Sequence, residues 1–144
     1  MAYKADDIDL LLPAFAVKVR QVLGDMKALG HSPVPFDTLR TEAEAAKFFA
    51  RGVGSKNSMH IYGVACDVIC NKHGWDCKKN KCKFYTDLGK IVEARGLVWG
   101  GRFSNLNDLP HFQACSASVA EQAKVRKMTW DERNAYVLAR MCRP

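Results

Sequence analysis

Along the first fifth of the chain, apolar positions recur at steps of three and four. Leu12, Phe15, Val19, Val22, Leu23, Met26 and Leu29 form the stripe of an amphipathic helix between Asp9 and Leu29. Pro13 stands near its start, where a missing N–H is harmless, and Gly30 offers a stop. The segment His31-Ser-Pro-Val-Pro35 forbids helix and reads as a connector. Helical composition resumes over Thr41–Ala50, with Thr41 and Glu44 spaced as a capping box.

The pattern then changes period. Gly52–Ser58 has loop composition, and Tyr62–Ile69 is rich enough in β-branched and aromatic residues for a short buried strand. Asn71–Lys83 is a Cys- and Lys-rich insertion. Thr86–Arg95 reads as a helix stopped by Gly96, Leu97-Val-Trp99 as a strand entering Gly100-Gly101, and Ser118–Met141 as basic helical sequence. Helices first and last around short strands predict an α+β fold rather than a βαβ repeat. No repeat or low-complexity linker divides the chain, so one domain over residues 1–144 is expected.

Composition narrows the class. At 144 residues with 48% hydrophobic and 26% charged, the chain can bury a core without disulfides or a metal, and disorder is excluded. The longest apolar stretch, Ile8–Val19, is interrupted by Asp9, Pro13 and Lys18, so no transmembrane span is expected. The opening Met-Ala-Tyr-Lys-Ala-Asp-Asp lacks a basic n-region, which predicts no secretory signal, a reducing cytosol and six cysteines present as thiols. A net charge of +7 predicts attraction to polyanions without saying which.

The chemistry gathers in two segments, Ser58-Met-His60-Ile-Tyr-Gly63-Val-Ala-Cys-Asp67 and, about forty residues on, Trp99-Gly100-Gly101 followed by Asp108-Leu-Pro110-His111-Phe112. Two His and one Asp are zinc-ligand types, and three protein ligands leave the open fourth position of a catalytic zinc. Asp67 lies within an apolar run where a bare carboxylate is costly to bury, a cost a cation offsets. Asp108 precedes His111 by three residues around Pro110, which puts a second carboxylate beside the metal as a general base.

These motifs resemble the zinc D-alanyl-D-alanine carboxypeptidase family of VanY type, in particular its phage endolysin branch of L-alanyl-D-glutamate endopeptidases. The resemblance runs from about Leu29 to Phe112 and includes Leu39-Arg40-Thr41 ahead of a Glu- and Ala-rich helix. It implies zinc at His60, Asp67 and His111, a catalytic base at Asp108, a substrate-orienting Arg40, and Ser58 holding a ligand by hydrogen bond. It also implies the fold shared by DD-peptidases and the hedgehog signalling domain, a small antiparallel sheet flanked by helices. Thr38-Leu39 stands where the family has Gly-Tyr, and Cys70–Cys82 does not map onto the family pattern.

The expected function is therefore a zinc-dependent peptidoglycan hydrolase cutting the peptide stem. Its setting is a phage endolysin held in the host cytoplasm until it reaches the wall, acting as a monomer with no stable membrane insertion. A D,D-carboxypeptidase and a non-catalytic zinc-containing binding module are the rivals. A nucleic-acid-binding zinc module lacks a finger spacing and leaves the His60–His111 pattern unexplained. Cys66, Cys70, Cys77 and Cys82, with His73 among them, remain open between thiols, disulfides and a second metal. The basic C-terminal stretch reads as a helix packed on the domain with a solvated cationic face, able to attract an anionic envelope.

Overall fold

A computed structural model describes residues 6–52, 57–77, 82–104 and 107–141. Among the described residues, five α-helices flank one four-stranded antiparallel sheet, so the α+β reading and the small sheet flanked by helices both hold. The helices are α1 (Pro13–Ala28), α2 (Glu42–Ala50), α3 (Phe84–Ala94), α4 (Val119–Lys127) and α5 (Trp130–Met141). The strands are β1 (Pro33–Asp37), β2 (Ala65–Cys70), β3 (Val98–Trp99) and β4 (His111–Gln113), in the spatial order β1-β2-β4-β3.

The expected stripe builds α1. Phe15, Val19, Val22 and Met26 are fully buried, and the helix packs on α3 and α5. Burying each such side chain stabilises by roughly 1.5–3 kcal/mol, which makes α1 the main wall of the core. At α2 the capping box is complete, since Thr41 Oγ1 accepts from Glu44 N and the Glu44 carboxylate accepts from Thr41 N. No described helix is long and apolar enough to cross a membrane.

Two elements and one surface differ from the sequence reading. The supposed connector at His31–Pro35 contributes strand β1: proline's fixed φ suits extended backbone, and at a sheet edge its missing N–H interrupts no inner ladder. A register shift between Pro35 and Asp37 sets Asp37 opposite Asp67. The C-terminal stretch is two helices, because Thr129 caps a new start by accepting from Glu132 N. Its cationic face is also not wholly solvated. Arg133 is buried, donates to the carbonyls of Val125 and Met128, and stacks over Tyr62. Cys142 and Arg143 lie outside the described residues.

The central pair β2 and β4 positions the site. Asp67 stands opposite His111, Cys66 opposite Phe112 and Ala65 opposite Gln113. Side chains alternate across a strand, so β4 sends Phe112 into the core against Phe15 while His111 and Gln113 share the opposite face with Asp67.

Candidate active site

His60, Asp67 and His111, spread over 51 positions of sequence from first to last, each offer a ligand atom, and these atoms lie within 4.8 Å of one another. Asp67 Oδ1 is 3.3 Å from His60 Nε2 and 3.0 Å from His111 Nδ1. His60 sits on a 3-10 turn, Met59–Tyr62, which ends at Gly63 with φ +72°. A Cβ at Gly63 would come within 2.8 Å of the Trp130 ring and 3.1 Å of Leu12 N, so both the turn and the packing require glycine.

The far nitrogen of each ring is already engaged. His60 Nδ1 is 2.8 Å from the carbonyl of Thr38, an acceptor only, so that nitrogen carries the proton and Nε2 presents its lone pair. His111 Nε2 is 2.8 Å from Gln113 Oε1. The Gln113 amide nitrogen donates to the carbonyls of Cys115 and Ser116, which orients Oε1 as the acceptor and leaves His111 Nδ1 to face Asp67. Two imidazole lone pairs therefore converge on one carboxylate oxygen. Three electron-rich atoms at this spacing need a cation among them, and the two-His, one-carboxylate set suits zinc.

The electrostatics agree. Burial pushes the Asp67 carboxyl up, yet the two imidazoles outweigh it and hold the group far below the usual carboxylate range. For His111, burial acts downward, but Asp67, Asp108 and Gln113 outweigh it, so in the absence of a metal the ring holds its proton more firmly than a free imidazole does.

Asp108 is half-buried, and burial raises its pKa above the ordinary carboxylate value, opposed by the charges of His111, His60 and Arg40 and assisted by Asp67. Its carbonyl accepts from His111 N at 3.2 Å, so base and ligand share one tight turn. The Trp99-Gly100-Gly101 motif underlies that turn. Gly100 O accepts from Asp108 N, and a Cβ at Gly100 would meet Asp108 O at 2.4 Å and His111 Cβ at 2.9 Å. The Trp99 indole lies directly against Gly89 and Gly101 and donates to Leu109 O at 2.8 Å. Phe103 packs beside the His111 ring, with centroids 5.6 Å apart.

Arg40 is buried behind the site. It is paired with Asp37, stacks over Phe48 at 4.5 Å and reaches Ser58 Oγ at 3.4 Å, while its Nε is buried without a partner. Ser58 Oγ also accepts from His60 N at 3.3 Å, so Ser58 fixes the backbone of His60 rather than its ring. Cys66 is fully buried beside Asp67, and burial pushes its thiol well up, as suits an inert core residue.

Sequence reasoning missed Gln113, Thr38 and Asp6. Gln113 was legible as a polar residue two positions after His111 in a strand. Thr38 presents a backbone carbonyl, which no side-chain motif announces. Asp6 accepts from both Thr38 N and Thr38 Oγ1 at 2.9 Å, tying the N-terminal segment to the residue that orients His60.

Residues 51–114, which hold all three converging residues and Asp108, match the model of a family described as D-alanyl-D-alanine carboxypeptidase. The fold is similar to the crystal structure of the Serratia marcescens L-Ala D-Glu endopeptidase ChiX, with a TM-score of 0.57 and 22% identity over 74% of this chain and 81% of that one. The first match agrees with the family that the motifs resemble, and the second shows the fold.

Proposed function

From the match of residues 51–114 to the model of a family described as D-alanyl-D-alanine carboxypeptidase, we propose a zinc-dependent endopeptidase that cuts the L-alanyl-D-glutamate bond of peptidoglycan stems. The observation that carries the proposal is the convergence of His60 Nε2, His111 Nδ1 and Asp67 Oδ1 with both rings' far nitrogens engaged. His60, Asp67 and His111 hold the zinc. Zinc in such a site supplies Lewis-acid polarisation of water and of the scissile carbonyl.

Asp108 accepts the proton of the attacking water and returns it to the departing amine, a role helped by a pKa that burial brings nearer to neutrality. Arg40, already paired with Asp37, acts as a preorganised donor that orients the substrate rather than as a free cation. Ser58 and Gln113 hold His60 and His111 in place.

The proposed setting is a phage endolysin, one catalytic domain held in the host cytoplasm until it reaches the wall; the charge of +7 supports it by favouring an anionic envelope. The description of the matched family favours a second reading, removal of terminal D-Ala. A pair of variants tests the division of labour. Asp108→Ala is expected to keep its zinc and lose hydrolysis by about 10²–10⁴-fold, whereas His60→Ala loses both. Loss of zinc from Asp108→Ala would make that residue a ligand and remove the base from the mechanism.

A further inference from the structure

The excursion between β2 and α3 holds a second convergence. The ligand atoms of Cys70, His73, Cys77 and Cys82 lie within 4.8 Å of one another. Cys70 is the last residue of β2, Cys70 and Cys77 are buried, and Cys82 packs against the core. Cys70 Sγ is 3.9 Å from His73 Nδ1. Cys66, grouped with these cysteines by sequence alone, is not among them.

The structure joins Cys77 and Cys82 as a disulfide, against the expectation of thiols throughout. That bond accounts for two sulfurs. It does not account for a third sulfur and an imidazole nitrogen brought to the same point. We propose that in the reduced chain Cys70, His73, Cys77 and Cys82 form a closed, structural zinc site of three thiolates and one imidazole.

Several observations fit. Gaps of two, three and four residues separate successive ligands, all within the range of short zinc-chelating loops. Zinc–sulfur bonds of about 2.3 Å in a tetrahedron set the sulfurs about 3.8 Å apart, so once the Cys77–Cys82 bond is reduced those two sulfurs separate to that spacing, while ligand atoms already within 4.8 Å need only draw in slightly. The loop is already turned for it. Gly74 at φ +57° donates to Cys70 O at 2.7 Å, Cys82 N donates to Cys77 O at 2.9 Å, and Tyr85 Oη pins Gly74 O at 2.7 Å to α3.

Zinc with three thiolates carries one negative charge, and the stretch that holds the four ligands is rich in lysine, including Lys72 and Lys83 among the described residues. A cavity of about 200 Å³ lined by His31, Ser32, Lys72, His73, Cys70 and Cys82 gives an ion a way in. The site staples the excursion to α3 at the end of the strand that carries Asp67. It does not rest on the proposed function, because its ligands are separate from His60, Asp67 and His111.

The test uses the full chain, reduced, metal-free and anaerobic, titrated with cobalt(II). Sulfur-to-cobalt charge-transfer absorption should appear, saturate with one cobalt bound by sulfur per chain and vanish when zinc is added. The His60/Asp67/His111 set has no sulfur and cannot give this band, so a His60→Ala, His111→Ala double variant should retain it. Cys70→Ser and His73→Ala should each weaken cobalt binding by more than about tenfold, the least that loss of even an outer partner costs. Reduced wild-type protein that is folded by circular dichroism yet gives no thiolate band would overturn the proposal. So would protein isolated from a reducing cytosol without chelator that carries the Cys77–Cys82 bond by mass and no sulfur-bound zinc.

Discussion

Replacing Gln113 with leucine isolates the residue that sequence reasoning passed over. Gln113 is 2% exposed, accepts from His111 Nε2 at 2.8 Å, and donates to Cys115 O at 2.8 Å. Leucine matches its bulk and removes the acceptor and both donations. His111 is then free to flip or to move its proton onto the nitrogen that faces Asp67. Losing such an outer partner costs about 10–100-fold in metal affinity, or about 1.4–2.8 kcal/mol. A buried N–H left without an acceptor costs a further ~1–3 kcal/mol of stability.

The assay is zinc competition against a chromophoric chelator, run beside thermal melts of metal-free protein. Gln113→Glu serves as the companion, since it keeps an acceptor for His111 while losing the donations to the Cys115 and Ser116 carbonyls. Its zinc affinity should stay close to wild type although its fold is less stable. The argument fails if folded Gln113→Leu binds zinc within about twofold of wild type, well short of the loss expected of such a partner.

Other outcomes follow from the same geometry. Gly100→Ala places a methyl group 2.4 Å from the Asp108 carbonyl and 2.9 Å from His111 Cβ. It should cost about 1–3 kcal/mol by overpacking and depress turnover more than zinc binding, because the turn carrying the base must shift. Melting curves and steady-state rates distinguish this from simple unfolding. Metal-free protein should respond to pH in a defined sense. His111 is raised in the fold, so its contribution is complete below the unfolded value of about 6.5 and is lost as pH rises through the higher folded value. Asp67 is depressed, so its contribution is present above about 3.9 and is lost only as pH falls toward its much lower folded value. Chelated protein should therefore melt lower as pH rises through the imidazole range, while the increment conferred by zinc grows because protons no longer compete. A chelated melting temperature that climbs over that range would refute the assignment of His111.

What the sequence made legible, and what it did not, divides along physical lines. The α1 stripe and the Thr41–Glu44 box depend on spacing within one element, so they could be read directly. The three converging residues were legible through their motifs, yet the reason Trp99-Gly100-Gly101 accompanies them was not. That reason is tertiary, glycines letting backbone and indole pass beneath the Asp108–His111 turn. Strand β1 was hidden by its prolines, which exclude helix but are tolerated at a sheet edge. Arg133 looked like part of a solvated basic face, whereas its partners are two carbonyls and a tyrosine ring from other parts of the chain. Thr38 and Asp6 act on His60 through the backbone carbonyl of Thr38, where side-chain identity carries little of the message.

The most direct measurement is digestion of purified peptidoglycan by wild-type protein, with and without a chelator, reading the new termini by mass spectrometry. A zinc-restorable, chelator-sensitive release of the D-Glu amine is the expected result, and release of free D-Ala in its place would assign the carboxypeptidase reading. Zinc-loaded, folded protein that frees neither would contradict a peptidase at His60, Asp67, Asp108 and His111.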